Sequence, residues 1–335
     1  MKKFWLLMAV ALMAAPFQSC SDDDKDKDKD DEGPSVLEER YFSIEDAIYR
    51  DEAIPTASTT EAIEGVEINT QVMNGAMNYI TIITEQEFTK FFVGVQGVDG
   101  HWEYSAAEAS SSRSTSMSSY IIPMMMSNDY TGSSTVCLAA ELASGEITPT
   151  ITRTIEYIET IPGDLEIKLA FSNSKDIDLH LITPSGEHIY YNHKGGEYTL
   201  DDGTVITYGL DIDSNAGCNL DHINKENIYI PEELIEAGTY TVMVDLFSNC
   251  DPSIATSWSI IARYKGDLII PSSGANPAVG IYEIGAPAGD HTEVMTFSII
   301  NAPEPQAQKK ARESWHFTPA KLTEAEQAKI DFANF

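Results

Sequence analysis

The sequence predicts a mainly β protein, built of two antiparallel β-sandwich domains and a short C-terminal helix. Three observations carry this. From about residue 37 the chain is a succession of short apolar or alternating runs separated by Gly, Pro, Asn, Asp and Ser. Several runs alternate with period two, so each has one apolar face that a second sheet must cover. Helix signals are confined to brief stretches, and no repeat of fixed period is present.

The chain opens with MKKFWLLMAVALMAAPFQSC. Lys2 and Lys3 form a basic start, and the apolar run Phe4 to Ala15 is too short to span a bilayer. Residues 1–19 therefore read as a signal peptide. Phe17-Gln18-Ser19-Cys20 resembles the looser lipoboxes of the Bacteroidetes, with Ser19 before the cut and Cys20 as the thiol to be acylated. Residues 20–36 are dominated by SDDDKDKDKDDEGP, a self-repelling acidic tether that cannot bury apolar surface. Acid directly behind the lipid cysteine also resembles the surface-export signal of Bacteroidetes lipoproteins. These features imply an outer-membrane lipoprotein, held by lipid on Cys20 and exposed at the cell surface.

The whole chain carries 21 basic and 53 acidic side chains, a formal charge of -32. Loss of Lys2 and Lys3 leaves 19 against 53, or -34. Such a polyanion is repelled by phosphate backbones and by anionic lipid, which excludes nucleic acid and electrostatic membrane docking. It fits a solvated outer surface, or carboxylates collected for a hard cation such as calcium.

Residues 37–161 form the first block. Strands are expected around Val66–Gln71, Tyr79–Thr84, Phe88–Val95, Tyr120–Met126, Thr135–Leu142 and Ile147–Ile158. Ser43-Ile-Glu-Asp46 has the form of a helix cap, and the Ser-rich stretch Ala109–Ser119 that of a flexible loop. Met124, Met125 and Met126 are expected to pack in a core or at an edge, and Cys137 to be a buried free thiol. Pro162-Gly163 marks the boundary.

Residues 162–302 alternate more clearly. Leu165, Ile167, Leu169 and Phe171 share one face of a strand. Tyr240, Val242, Val244 and Leu246 share another, and so do Trp258, Ile260, Ala262 and Tyr264. Residues 303–335 are a Pro- and Ala-rich linker, followed by a helix that opens at the capping box Thr323-Glu-Ala-Glu326 and runs toward Phe332.

The second block collects oxygen ligands. In Asp176-Ile-Asp178-Leu-His180 the polar residues fall on one strand face. In Asp211-Ile-Asp213-Ser-Asn215 three oxygen-bearing side chains occupy alternate positions, the spacing that opens a calcium-binding loop. Position twelve from Asp211 is His222 rather than Glu, so the site is no EF-hand and needs completion from elsewhere. Asp221, Glu226 and Asp245 are the candidates. The alternatives are carboxylates that cap turns and face water, and a zinc site using His180. Cys218 ends the loop motif and Cys250 ends the strand carrying Asp245. In an oxidising compartment these two are expected to form a disulfide.

Four blocks, DIDLHLITPSGEHIYYNHK, GLDIDSNAGC, KENIYIP and AGTYTVMVDLFSNC, together resemble the YfaP-type family, an exported bacterial domain of unknown function. The resemblance covers about residues 164–300 and implies a β-sandwich rather than an activity. The chain departs from the family in a longer insert, Gly195–Tyr208. It also has Asn224-Lys-Glu-Asn227 where the family tends to have Gly-Pro-Glu-Asn.

Catalytic motifs are missing: no His-Glu-x-x-His, no Gly-x-Ser-x-Gly and no Gly-rich phosphate loop. The histidines, among them His188, His193 and His291, are scattered. Trp102, Tyr104, Tyr190 and Tyr191 could stack on sugar faces, with core packing as the competing use. The expectation is a non-catalytic binding or adhesion module, calcium-stabilised, with a glycan or protein ligand. An enzyme or enzyme accessory acting on envelope or dietary polymers is one alternative, and a structural envelope component is another.

Overall fold

The structure is a computed structural model that describes residues 35–113 and 118–300. Cys20, the acidic run behind it and the helix expected at residues 323–332 lie outside the described residues. Among the described residues the protein is mainly β, and no helix reaches seven residues. None is long and apolar enough to cross a membrane.

The first half opens with α1 (Val36–Arg40), whose cap is Ser35: its Oγ accepts from the Glu38 N–H at 3.2 Å. Eleven strands follow. They are β1 (Phe42–Ser43), β2 (Ile48–Arg50), β3 (Val66–Ile68), β4 (Gln71–Val72), β5 (Met77–Thr84) and β6 (Phe88–Val95). Then come β7 (His101–Ser105), β8 (Ser110–Arg113), β9 (Ser118–Met126), β10 (Ser133–Leu142) and β11 (Ile151–Tyr157). Sheet A runs β1-β9-β5-β3, with β8 also on β9; sheet B runs β2-β7-β6-β10-β11-β4. All pairs in this half are antiparallel except β4 with β11. Both sheets contribute to one hydrophobic core, an arrangement consistent with a β-sandwich. At its centre Phe88 and Phe91 of β6 meet Tyr120 of β9, with ring centroids 5.3–5.5 Å apart.

Several local expectations are revised here. Ser43 belongs to a strand, and the chain then turns with Asp46 at φ 61°, so the helix lies earlier, at α1. The Ser-rich stretch contributes β8 and the start of β9, which pair with each other rather than forming a loop throughout. Cys137 is half-buried and burial pushes its thiol pKa up. Met124 and Met126 are buried in the core, whereas the alternation of β9 turns Met125 to the other face. Trp102 and Tyr104 are buried too; the Trp102 indole N–H donates to the Phe42 carbonyl at 3.2 Å, so neither ring is a sugar platform.

The second half contains β12 (Leu165–Phe171), β13 (Asp176–Ile182), β14 (His188–Ile189), β15 (Gly195–Thr199), β16 (Val205–Asp213) and β17 (Lys225–Ile230). After these come β18 (Gly238–Ser248), β19 (Thr256–Tyr264), β20 (Asp267–Leu268), β21 (Ser273–Gly274), β22 (Ala278–Tyr282) and β23 (Asp290–Ile299). Sheet C runs β15-β16-β17-β12-β19-β20, with β22 also on β19; sheet D runs β14-β13-β18-β23-β21. The alternating apolar residues of β12, β18 and β19 fall in one core shared by the two sheets. The Tyr240 hydroxyl ties the start of β18 to the chain before it, donating to the Glu236 carbonyl at 3.0 Å. The insert Gly195–Tyr208 is accommodated as the β15–β16 hairpin on the edge of sheet C. Cys218 and Cys250 are joined by a disulfide, which fastens the turn after β16 to the chain just beyond β18.

The two halves meet through polar contacts and a small apolar cluster of Met77, Tyr79, Ile121 and Ala170. Lys168 Nζ donates to the Asn74 carbonyl at 3.1 Å, and Asn69 Nδ2 donates to the Phe171 carbonyl at 2.8 Å. Asn224 Nδ2 donates to Asn69 Oδ1 at 2.8 Å, and buried Lys225 donates to Asn78 Oδ1 at 3.1 Å.

Candidate functional site

The site begins with the alternation of β13. Ile177, Leu179 and Leu181 enter the core, which sends Asp176, Asp178 and His180 to the opposite face of sheet D. Strand pairing extends this polar row sideways: Asp178 stands opposite Asp245 of β18, and Asp245 stands opposite His291 of β23. Outward-facing polar residues would ordinarily be solvated. Here Asp176, Asp178, His180 and Asp245 are all buried.

Over His180 the cover comes from the segment after β13, which folds back on the strand. Tyr190 stacks on both His180 and His188, at centroid distances of 5.2 and 4.2 Å. Tyr191 packs edge-on against Tyr190 and against Phe247. Both tyrosines thus join one aromatic cover, rather than splitting to opposite faces as strand alternation would have it. Glu187 anchors this segment, accepting from the Tyr208 hydroxyl at 2.8 Å and meeting His193 Nε2 at 3.0 Å. Tyr208 belongs to the insert hairpin, so the insert helps to hold the cover.

Two groups of metal-capable ligands result, each with its ligand atoms within 4.8 Å of one another. The first is Asp178, Asp213 and Glu226. It spans both sheets, because Asp178 is on β13 while Asp213 and Glu226 are register partners on β16 and β17. Glu226 is fixed by the Leu179 N–H, which donates to its Oε2 at 2.7 Å. Lys194 Nζ reaches Asp213 Oδ2 at 3.2 Å from the surface. The second group is His180, Asp245 and His291, with His291 Nδ1 3.3 Å from Asp245 Oδ2. His188 adjoins it, its Nε2 lying 2.9 Å from His180 Nδ1. Burial, and then the neighbouring His193 and His291, hold His188 below the usual imidazole pKa and favour its neutral form.

The remaining carboxylates singled out in the sequence have other occupations. A β-bulge at Asp211 breaks the alternation between Asp211 and Asp213. Asp213 joins Glu226, while Asp211 accepts from Asn227 Nδ2 and the Ile161 N–H, both at 2.7 Å, and so pins the segment that joins the two halves. Asn215, in the left-handed conformation at φ 60°, organises the turn: its Oδ1 accepts from the Asp221 and His222 N–H groups. Asp221 caps the same turn, accepting from Ser214 Oγ at 2.6 Å and the Ile223 N–H at 2.9 Å. Asp176 Oδ2 accepts from the Gly217 N–H at 2.8 Å. The Asp211–Asn215 stretch is therefore a strand end and a turn, not a loop wrapped round one ion. Of the eight candidate metal ligands, Asp178, Asp213 and Glu226 meet each other, and Asp245 meets two histidines instead. His291 and His188 carry no local signal of a ligand role. Only the pairing of β18 with β23 and the return of the chain after β13 bring them in.

No family model and no curated protein matches the chain. Among solved structures, it is similar to fibronectin(III)-like modules of Clostridium thermocellum CbhA, at 12% identity over 71% of this chain and 95% of that one, with a TM-score of 0.17. A second is SGBP-B of the Bacteroides ovatus mixed-linkage glucan utilization locus, solved with a mixed-linkage heptasaccharide. There the identity is 12%, over 51% of this chain and 50% of that one, and the TM-score is 0.19. A third is the C-terminal domain of the Streptococcus agalactiae AgI/II polypeptide BspA, at 11% identity over 61% of this chain and 96% of that one, with a TM-score of 0.19. At such TM-scores these likenesses carry no argument about ligand or activity.

Proposed function

We propose that this chain is a surface-exposed lipoprotein, anchored through acylated Cys20, whose two β-sandwich domains at 37–161 and 162–302 form a non-catalytic binding or adhesion module. The second domain is of the YfaP type and is clamped by calcium. The observation that carries the clamp is the meeting of Asp178, Asp213 and Glu226 within 4.8 Å, from strands of two different sheets. Three carboxylates so close repel one another, and burial of Asp178 and Glu226 strengthens the repulsion. A hard dication turns that repulsion into coordination, because calcium takes several carboxylate oxygens in a flexible shell. It would also tie β13 to the β16–β17 hairpin, which makes the ion a structural element beneath whatever surface binds the ligand.

The test is thermal unfolding of the exported chain. Calcium at about a hundred times its Kd should stabilise by roughly 2.7 kcal/mol. A chelator should lower the Tm by several degrees and added calcium restore it, and Asp213→Asn should abolish the response. A Tm indifferent to both treatments would falsify the clamp. The anchor is tested separately. Cys20→Ala should move the protein from the membrane to the soluble fraction, and retention of that variant on membranes rejects lipidation at Cys20.

A further inference from the structure

The geometry points to a second metal site of different chemistry beside the first: a divalent transition-metal site of the zinc class, formed by His180, Asp245 and His291. Its ligand set is two imidazoles and one carboxylate, which suits borderline first-row ions, whereas the all-carboxylate group suits hard ones. The spacing fits as well. Ligand atoms around a tetrahedral ion with bonds of about 2.0–2.1 Å lie roughly 3.3 Å apart. His291 Nδ1 and Asp245 Oδ2 are 3.3 Å apart, and all three ligand atoms fall within 4.8 Å.

The surroundings are those of a built site. His180 and Asp245 are 3% and 2% exposed and sit on adjacent, rigidly paired strands. His188 engages His180 Nδ1 at 2.9 Å, which sets the ring's orientation and assigns Nε2 to the ion. Tyr190 stacks across both rings and shields that side. His291 is more than half exposed and provides the way in from solvent. Neither motif nor spacing in the sequence shows this set, because its members come from β13, β18 and β23.

The experiment titrates the exported chain with zinc by calorimetry, calcium being held in excess so that the carboxylate group is occupied. Cobalt(II) serves as the spectroscopic probe. One equivalent of zinc is expected to bind, and cobalt(II) to give visible bands of histidine coordination. His291→Ala changes an exposed residue and so keeps the fold, which a melting curve checks. It should weaken zinc binding about 100-fold or more, while Asp213→Asn leaves it unchanged. The site is rejected if zinc fails to bind, if His291→Ala binds it as tightly as the parent, or if calcium displaces it. Loss of the calcium response with zinc binding intact would reject the clamp alone, so the two readings fail separately.

Discussion

The two halves of the molecule are both paired sheets around an apolar core, yet they bury very different groups. The first half buries a ladder of aromatic and aliphatic side chains, and His101 is the one ionisable Lys, Arg, His, Asp or Glu side chain among its described buried residues. The second half buries Lys168, Lys175, Asp176, Asp178, His180, Lys225, Glu226 and Asp245. Stability alone does not call for this, since a buried charge costs several kcal/mol unless it is matched. The contrast teaches that the first half is a scaffold, and that the second has accepted charge in its interior, within sheet D, between its two sheets and at the junction of the halves. The disulfide and both ligand clusters belong to that second half as well.

Three measurements would break or sharpen this contrast. The largest effect is expected from Phe91→Ala in the first half, which empties the centre of the aromatic cluster and should cost about 3–5 kcal/mol in denaturant unfolding. That loss should be the same with and without calcium; a calcium-dependent loss would mean the halves do not differ as described. Next comes replacement of both Cys218 and Cys250 by Ser. The bridge closes a separation of 32 residues, so its removal should cost about 3–4 kcal/mol in the chain-entropy account. Hydrogen exchange should rise in β16–β18 and stay unchanged in β5 and β6. Equal acceleration in both halves contradicts the assignment.

The smallest effect, read over a single pH unit, concerns Lys225 at the junction. Burial lowers its pKa from the ordinary 10.5 to about 7. Between pH 7 and pH 10 the unfolded chain therefore binds a proton that the folded chain lacks. Stability should rise with pH across that window by about 1.4 kcal/mol per unit, and flatten below pH 7. Lys225→Met should erase this slope. A parent protein with no slope there would show that the ammonium is not desolvated in solution.

Much of the framework is legible in the residues. Period-two alternation marked β12, β18 and β19 because each has a face that must be dry. β6 was legible from its apolar end, Phe91-Phe-Val93, between polar breaks. Asp178 and Asp213 stood out as potential ligands because they alternate with other polar side chains along a strand, and Glu226 as a residue that could complete the set. How they combine was not legible. Ideal alternation puts Asp211 with Asp213, and a single extra residue in β16 separates them. The turn chemistry of Asn215 and Asp221 mimics the opening of a calcium loop, since the same oxygens cap backbone N–H groups equally well. Strand alternation would put the adjacent Tyr190 and Tyr191 on opposite faces, but the return of the chain over sheet D places both in the cover.

By itself, then, the sequence determined the mainly β character, the strands with one dry face, the cysteines available to pair and the supply of oxygen ligands. Each of these follows from local chemistry, acting over a few residues. The tertiary structure alone decided which carboxylates meet, that His291 and His188 join His180, and that a polar outer face is buried. Those outcomes depend on which strands pair and on one bulge, and pairing between strands far apart in the chain is settled only as the sheets assemble.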